Sequence, residues 1–157
     1  MKATIHSILC HAPTNAVYGI ITNCARWPDI FEPCLNVEFL EKKDGYEVIR
    51  VTAEVNKVEM QWVSHRVLNE EIYGIDFETN PPLPLLKSMQ GRWRVVPLEE
   101  GGCLLFLEHN FQVKDDVTGL VDGVTTPDEA VDFMMQAIHR NTIKELNSIK
   151  KLAEENN

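Results

Sequence analysis

Two polar side chains lie on strand faces that are otherwise apolar. In the stretch MQWVSHRV, side chains alternate between the two faces of a predicted strand, so Arg66 shares its face with Trp62. In CLLFLEHNFQ, His109 shares a face with Leu107 in the same way. A buried guanidinium stays charged and needs either a partner or a wet cavity. A buried imidazole could act as a general acid or base, with a pKa near the working pH.

Each of these residues also has a structural explanation. His109 alone fits a core histidine with a satisfied hydrogen bond, and Arg66 alone fits a strand end from which the guanidinium reaches solvent. A purely structural core rarely holds both without an obvious carboxylate, because desolvating each ion is costly. Together they therefore predict an internal cavity that holds water and an oxygen-rich ligand.

The three tryptophans, Trp27, Trp62 and Trp93, raise a similar choice. Each one is explained most simply as a core residue, but as a set they could line a pocket for flat, conjugated ligands. Other catalytic signatures are absent from the sequence, including GxSxG, HExxH, a phosphate-binding glycine loop and a dinucleotide motif. We expect no metal, since His6, Cys10 and His11 have poor ligand geometry on a strand.

Composition restricts the class of protein. The 157 residues, with 44% hydrophobic and 25% charged residues, predict one soluble domain over residues 1–157. A formal charge of −9 argues against nucleic acid and against an anionic membrane surface. No apolar run is long enough to span a bilayer, and the N-terminus reads as a strand rather than a signal peptide. The four scattered cysteines are typical of reduced thiols in the cytoplasm.

The elements that must position these residues follow from periodicity. A strand over residues 3–10 precedes a helix that starts at Pro13 and ends before Pro28, and strand follows strand from about residue 37 to residue 113. Thr126-Pro127-Asp128-Glu129 is a capping box that opens a long helix. The predicted inner stripe of that helix is Val131, Met135, Ile138, Thr142, Leu146, Ile149 and Ala153. We expect an α+β fold in which seven antiparallel strands wrap around the C-terminal helix.

The sequence contains the motifs WPDIFEP, QWVSHRV, GRWRV, LEHNF and a terminal NTIKELNSIKKLAEE. These motifs resemble those of the aromatase/cyclases of bacterial type II polyketide systems. This family belongs to the START-like, helix-grip (SRPBCC) superfamily, and the resemblance covers nearly the whole chain. It implies a single aromatase/cyclase-like START domain with a deep internal cavity. It also implies cofactor-independent aldol closure and dehydration of a poly-β-ketone chain, giving the first aromatic ring.

The resemblance assigns roles to particular residues. The family's pocket arginine falls on Arg66, and Trp62 and Ser64 match inward positions of the same strand. His109 matches a histidine found in the subset of members associated with C7–C12 closure. Cys34 stands where some members have a tyrosine. Arg66 and His109 are thus the expected catalytic residues.

Some members also use an acid on the terminal helix, for which this sequence has no clear match. Met135, His139, Asn141 and Thr142 are candidates to line the cavity from the helix, and Glu145 is less well placed. With Trp27, Cys34, Trp62, Ser64 and Trp93, the residues Met135, His139 and Thr142 complete the predicted substrate-binding set.

Partners and alternatives follow from the same resemblance. The implied partners are a polyketide chain on an acyl carrier protein and the minimal polyketide synthase, with the domain acting as a monomer or homodimer. Because carrier proteins are acidic, docking requires a basic patch, to which Lys87, Arg92 and Arg94 could contribute. The alternative functions are a non-catalytic carrier of a lipid, quinone or other hydrophobic ligand, and an interaction module of a synthase complex.

Overall fold

The computed structural model describes residues 1–55, 57–80 and 83–155. The helices are α1 (Thr14–Thr22), α2 (Trp27–Ile30) and α3 (Pro127–Glu155), and short 3₁₀ turns cover Cys24–Arg26 and Glu70–Ile72. The strands are β1 (Lys2–Cys10), β2 (Cys34–Lys43), β3 (Tyr46–Val55), β4 (Val58–Asn69), β5 (Gly74–Asn80), β6 (Leu86–Pro97) and β7 (Cys103–Val113).

The strands form one antiparallel sheet in the order β1-β7-β6-β5-β4-β3-β2, which confirms the predicted architecture. The first strand pairs with the last, and Thr4 lies directly opposite His109. β6 starts at Leu86. A register shift between Leu86 and Ser88 interrupts the alternation of side chains at the start of that strand.

Helix α3 begins as its capping box predicts, since the backbone N–H of Glu129 donates to Thr126 Oγ1 over 3.2 Å. The predicted inward position of Met135 is wrong: its side chain is 37% exposed, whereas Met134 is 4% exposed. One residue rotates the side-chain direction by about 100° on a helix of 3.6 residues per turn. The buried stripe is Ala130, Met134, Ala137, Ile138, Thr142, Leu146, Ile149 and Ala153.

The apolar core is divided into two clusters. The larger cluster joins α1, the C-terminal half of α3 and the strand ends around Trp93 and Leu105. The smaller cluster joins Leu86, Phe111 and the N-terminal half of α3 to Val117 and Val124 of the loop that precedes this helix. The sequence pattern had assigned no role to that loop.

Between the two clusters lies a band of polar and partly exposed side chains on the inner face of the sheet. Helix α3 packs mainly against β1, β7 and α1, and β3, β4 and β5 are not among its principal neighbours. Inward-facing residues in the middle of the sheet keep some accessible surface, as Trp62, Phe77, Met89 and His109 show. This accessible surface indicates an inner space between the sheet and α3. No helix in the described ranges is both long and apolar enough to cross a membrane.

Candidate active site

Arg66 is buried and fully engaged with protein groups. Its side chain is 2% exposed, and its Nε forms an ion pair with Glu47 Oε1 at 3.3 Å, without the geometry of a hydrogen bond. Nη2 donates to the carbonyl oxygen of Ile21 over 2.7 Å, and Nη1 donates to Cys24 Sγ. The guanidinium also lies over the ring of Trp27, 4.9 Å from its centroid.

The inference that Arg66 has no carboxylate partner is therefore wrong. Glu47 is directly opposite Arg66 across β3 and β4, and it is 3% exposed. The signal was present in the sequence, because alternation along β3 places Glu47 on the same face as the buried Ile49 and Val51. An acid on an apolar face needs a partner just as an arginine does.

The three tryptophans have different surroundings. Trp93 is 4% exposed within the larger apolar cluster, which places it in the core and not on a cavity wall. Trp27 is partly exposed, and its Nε1 donates to the carbonyl oxygen of Ile20 over 3.4 Å while its ring covers Arg66. Trp62 keeps accessible surface on the inner face and is the tryptophan available to line the inner space.

His109 faces the inner space from β7. Its ring packs in a T-shaped arrangement with that of Phe77, with centroids 5.8 Å apart. Gly91, opposite His109 on β6, makes room for this pair, because a Cβ there would overlap the Phe77 ring and the carbonyl oxygen of Glu108. Burial, with a smaller contribution from His6, lowers the pKa of His109 to about 4. The predicted pKa near the working pH is therefore wrong, since the imidazole is neutral at pH 7.

Glu145 faces the inner space from α3, although the sequence interpretation ranked it below its neighbours. It follows Ile138 by two helical turns, so it lies on the inward side of the helix. Burial alone raises the pKa of Glu145 to about 7, and no other charge contributes. Its side chain still keeps some accessible surface, as expected for a carboxyl on a cavity wall. The signal missed was this two-turn spacing.

The remaining predicted residues are divided between the inside and the surface. Ser64 is 6% exposed beside Thr79 on β5, and Thr142 is 1% exposed on α3. Cys34 is 8% exposed and close enough to Glu145 for the carboxylate to raise the pKa of its thiol; burial makes the larger contribution, and the pKa reaches about 11. His139 is exposed, at the edge of α3 beside β1.

The structure thus brings some of the predicted residues together and separates others. His109, Trp62, Ser64, Cys34 and Thr142 belong to the inner face of the sheet or of α3. Glu145 joins this set as an addition. No group of three or more acidic, histidine or cysteine side chains among the described residues could hold a metal ion.

Two concavities lie outside this inner band. The larger, of about 620 Å³, is on the outer face of the sheet beside Tyr46, His65 and Arg92, away from Arg66 and His109. The inward titratable groups His109 and Glu145 do not line this concavity. The smaller concavity, of about 320 Å³, is a cleft beside α3 lined by Glu32, Pro33, Glu54, Lys57, Ala137, Arg140, Asn141 and Lys144.

The basic patch predicted from Lys87, Arg92 and Arg94 does not form. Arg92 pairs with Glu108 over 2.8 Å, and Arg94 pairs with Asp76 over 2.9 Å. Lys87 pairs with Asp115 over 3.2 Å. Each cation is thus balanced by an acid. The side chains of Arg92 and Arg94 also point to the outer face, because β6 alternates and Trp93 points inward.

The sheet gripping a long helix around an inner space defines a START-like, helix-grip domain. A START superfamily protein from Mycobacterium smegmatis shares this fold at a TM-score of 0.68 and 13% identity, covering 99% of each chain. Residues 10–133 match the family model described as polyketide cyclase/dehydrase and lipid transport. The chain belongs to that family.

Two relatives show more sequence similarity. The granaticin polyketide synthase bifunctional cyclase/dehydratase of Streptomyces violaceoruber is 32% identical over 95% of this chain, which spans 43% of that relative. The crystal structure of the Zhui aromatase/cyclase from Streptomyces sp. R1128 superposes with a TM-score of 0.89 at 30% identity, covering 98% of this chain and 93% of that one. The chain therefore spans less than half the length of the curated relative.

Proposed function

We propose that this domain is a cofactor-independent polyketide cyclase/aromatase. It directs first-ring aldol closure and dehydration of a poly-β-ketone held on an acyl carrier protein, with C7–C12 closure favoured. The observation that carries the proposal is two buried titratable groups, His109 on the inward face of β7 and Glu145 on the inward side of α3, whose pKa values are displaced to about 4 and about 7. Displaced titratable groups of this kind are typical of acid–base sites.

The two groups suit different parts of the reaction. At pH 7 the carboxyl of Glu145 is close to half-protonated, so it can take a proton from a methylene carbon and return one to the new alkoxide. The neutral imidazole of His109 can donate a hydrogen bond to the carbonyl oxygen that becomes the enolate. Aldol closure moves a proton without net gain or loss, and dehydration then releases one water.

Arg66 takes a different role from the one its sequence position suggested. Its guanidinium is occupied by Glu47, Cys24 and Ile21 and has almost no accessible surface. We assign it to positioning: it fixes β3, β4 and the ring of Trp27 that closes over it. Trp62 and Phe77 then shape the space in which the chain must fold before its reactive carbons meet.

Support for the finer assignments comes from the resemblance and from the names of the relatives. The preference for C7–C12 rests on His109, which matches the histidine of the subset associated with that closure. The polyketide substrate is supported by the similarity to the granaticin cyclase/dehydratase.

For carrier docking we propose the cleft beside α3, whose lining includes Lys57 and Lys144 along with Glu32 and Glu54. Binding of an acidic carrier there weakens as salt rises, and Lys144→Glu weakens it further. Lys151→Glu, an exposed change on the same helix, is the matched control. Equal effects of the two changes would contradict this placement.

The test of the function is product profiling with a reconstituted minimal polyketide synthase. We expect the wild-type domain to divert shunt products into one aromatic compound, and Glu145→Gln and His109→Gln to lose this effect. Asp132→Asn, an exposed acid on α3, and His65→Gln are the controls. If the wild-type domain changes no product at several chain lengths, the non-catalytic carrier of a hydrophobic ligand becomes the better explanation.

A further inference from the structure

Three histidines connect the inner space to the surface of α3. His109 lies on the inner face of β7, and His6 lies on the same face of the adjacent β1, diagonally across from it. His6 Nε2 is 3.0 Å from Nδ1 of His139, whose side chain is exposed. The proposed function uses only His109, so His6 and His139 have no role yet.

The inner end of this series contains a concentration of unpartnered polar atoms. Across the described residues, four buried side-chain atoms have no hydrogen-bond partner: Thr4 Oγ1, His6 Nδ1, His109 Nδ1 and Arg66 Nε. Arg66 Nε has the Glu47 carboxylate 3.3 Å away, which leaves three. All three belong to the inner face where β1 meets β7.

The positions of these three atoms suit a single small polar ligand. Thr4 is 8% exposed and lies directly opposite His109, and His6 is two residues along the same face of β1. Buried polar atoms are nearly always hydrogen-bonded, and an internal water typically has two to four polar partners. A hydroxyl and two imidazole nitrogens provide both donors and acceptors for it.

We propose that Thr4, His6 and His109 bind one internal water, and that this water, His6 and His139 form a proton path from the inner space to solvent. The proposal rests on the proposed function, because the path gives the buried imidazole of His109 a route for exchanging protons with solvent. Each member gives one proton as it accepts one: inward, His139 Nδ1–H passes a proton to His6 Nε2, His6 Nδ1–H passes one to the water, the water passes one to His109 Nδ1, and solvent reprotonates His139. No co-reactant is needed, since the proton leaves to or arrives from solvent.

His6 and His139 are positioning residues in this proposal, since neither contacts the substrate. Each histidine of the path also affects the pKa of the next one inward. His6 lowers the pKa of His109 in addition to the effect of burial, and His139 likewise lowers the pKa of His6. Phe77, whose ring packs against that of His109, and Thr4 and Gly91, which lie opposite His109 on the neighbouring strands, carry no charge.

The first test is NMR of the full chain with ¹⁵N-labelled histidine. We expect His6→Gln to raise the pKa of His109 and His139→Gln to raise that of His6, while His65→Gln on the outer face leaves both unchanged. A long-lived water should give cross-relaxation to the ring protons of His6 and His109, and Thr4→Val should abolish it. Independent titrations, or no bound water beside Thr4, would overturn the proposal.

The second test measures turnover. His6→Gln and His139→Gln should lower the maximal rate, by up to the roughly 10²-fold that a positioned proton transfer contributes, with ligand affinity unchanged. Added imidazole should restore the turnover rate of the His139→Ala variant, because this position is open to solvent. Unchanged rates in both variants would contradict the path. If the wild type cyclises nothing, the proposed function fails, and the NMR result still decides whether the coupled path exists.

Discussion

At the residue scale, one physical cause displaces two pKa values in opposite directions. Burial disfavours the charged form of any side chain, so it lowers the pKa of His109 to about 4 and raises that of Glu145 to about 7. Each displacement also makes folding depend on pH. The contribution of neutral His109 to the free energy of unfolding is full above pH 6.5 and is lost as pH falls through 4. That of protonated Glu145 is full below pH 4.5 and is lost as pH rises through 7.

Glu145→Gln should therefore change how stability varies with pH. The wild-type chain loses the Glu145 contribution between pH 4.5 and about 7, and the variant does not. At roughly 1.4 kcal/mol per pKa unit, the variant should gain up to about 3 kcal/mol relative to wild type across that range. Urea unfolding at a series of pH values measures the difference, and Asp132→Asn should parallel wild type. A pH-independent difference for Glu145→Gln would show that the carboxyl does not titrate in this range.

The four cysteines should be unreactive in the folded protein. All are buried, and burial is the largest influence on each, raising the pKa of Cys10 and Cys34 to about 11 and of Cys24 to about 12. The thiolate is the reactive form, so modification should require unfolding. Ellman's reagent at pH 8 should give little signal until urea is added, when all four thiols react. A thiol that reacts at once in native buffer would reveal an opening absent from this structure.

At the element scale, the central hairpin of β3 and β4 is joined by a buried ion pair. Removing one partner leaves an uncompensated charge, which costs about 3–5 kcal/mol, whereas replacing both by apolar residues is often neutral. We expect Arg66→Met and Glu47→Met each to destabilise strongly, and the double variant to recover most of the loss. Chemical denaturation of the four proteins measures the coupling.

The outer-face pair Arg92–Glu108 provides the control for this cycle. Its side chains are 55% and 24% exposed, so its coupling should stay below about 1 kcal/mol. If the losses at Arg66 and Glu47 simply add, the guanidinium and the carboxylate do not stabilise each other.

The elements also show which features the sequence can predict. Alternation in β7 correctly placed His109 inward, and the capping box correctly placed the start of α3. The predictions were wrong where one of two neighbouring helical positions had to be assigned to the inner face, as for Met134 and Met135. They were also wrong where a partner lay on another strand, as for Glu47 and Arg66. Pairing across strands depends on register, which one strand's pattern does not contain.

At the scale of the whole molecule, the divided core predicts unequal stability along α3. The smaller cluster packs the N-terminal half of this helix against a loop, and the larger one packs its C-terminal half against α1 and the sheet. Local opening is cheapest where few apolar contacts must break. Hydrogen exchange should therefore be faster around Met134 than around Ile149.

Matched core substitutions test this division. Leu86→Ala removes a buried leucine from the smaller cluster and Leu105→Ala removes one from the larger. A buried Leu→Ala change typically costs about 2–5 kcal/mol. We expect the first to speed exchange mainly in the N-terminal half of α3 and the second to lower global stability. Uniform acceleration along α3 in both variants would show that the clusters open as one unit.

The whole-molecule arrangement was only partly accessible to sequence reasoning. Strand number and the terminal helix follow from periodicity, because each element is long and regular. The second cluster was missed because Val117 and Val124 lie in a loop, where no period marks them as buried. The net charge of the sequence likewise contains no information on where basic side chains form a surface patch. The pairing of Arg92 and Arg94 with acids depends on strand neighbours.

The carboxyl of Glu145 makes occupancy of the inner space a proton-linked event. An uncharged occupant that displaces water disfavours the carboxylate further, so the pKa of Glu145 rises and the protein takes up part of a proton at neutral pH. Because linkage is reciprocal, affinity for such an occupant increases as pH falls. The apparent binding enthalpy then varies with the ionisation enthalpy of the buffer. The slope of a plot of one against the other gives the number of protons taken up with the ligand.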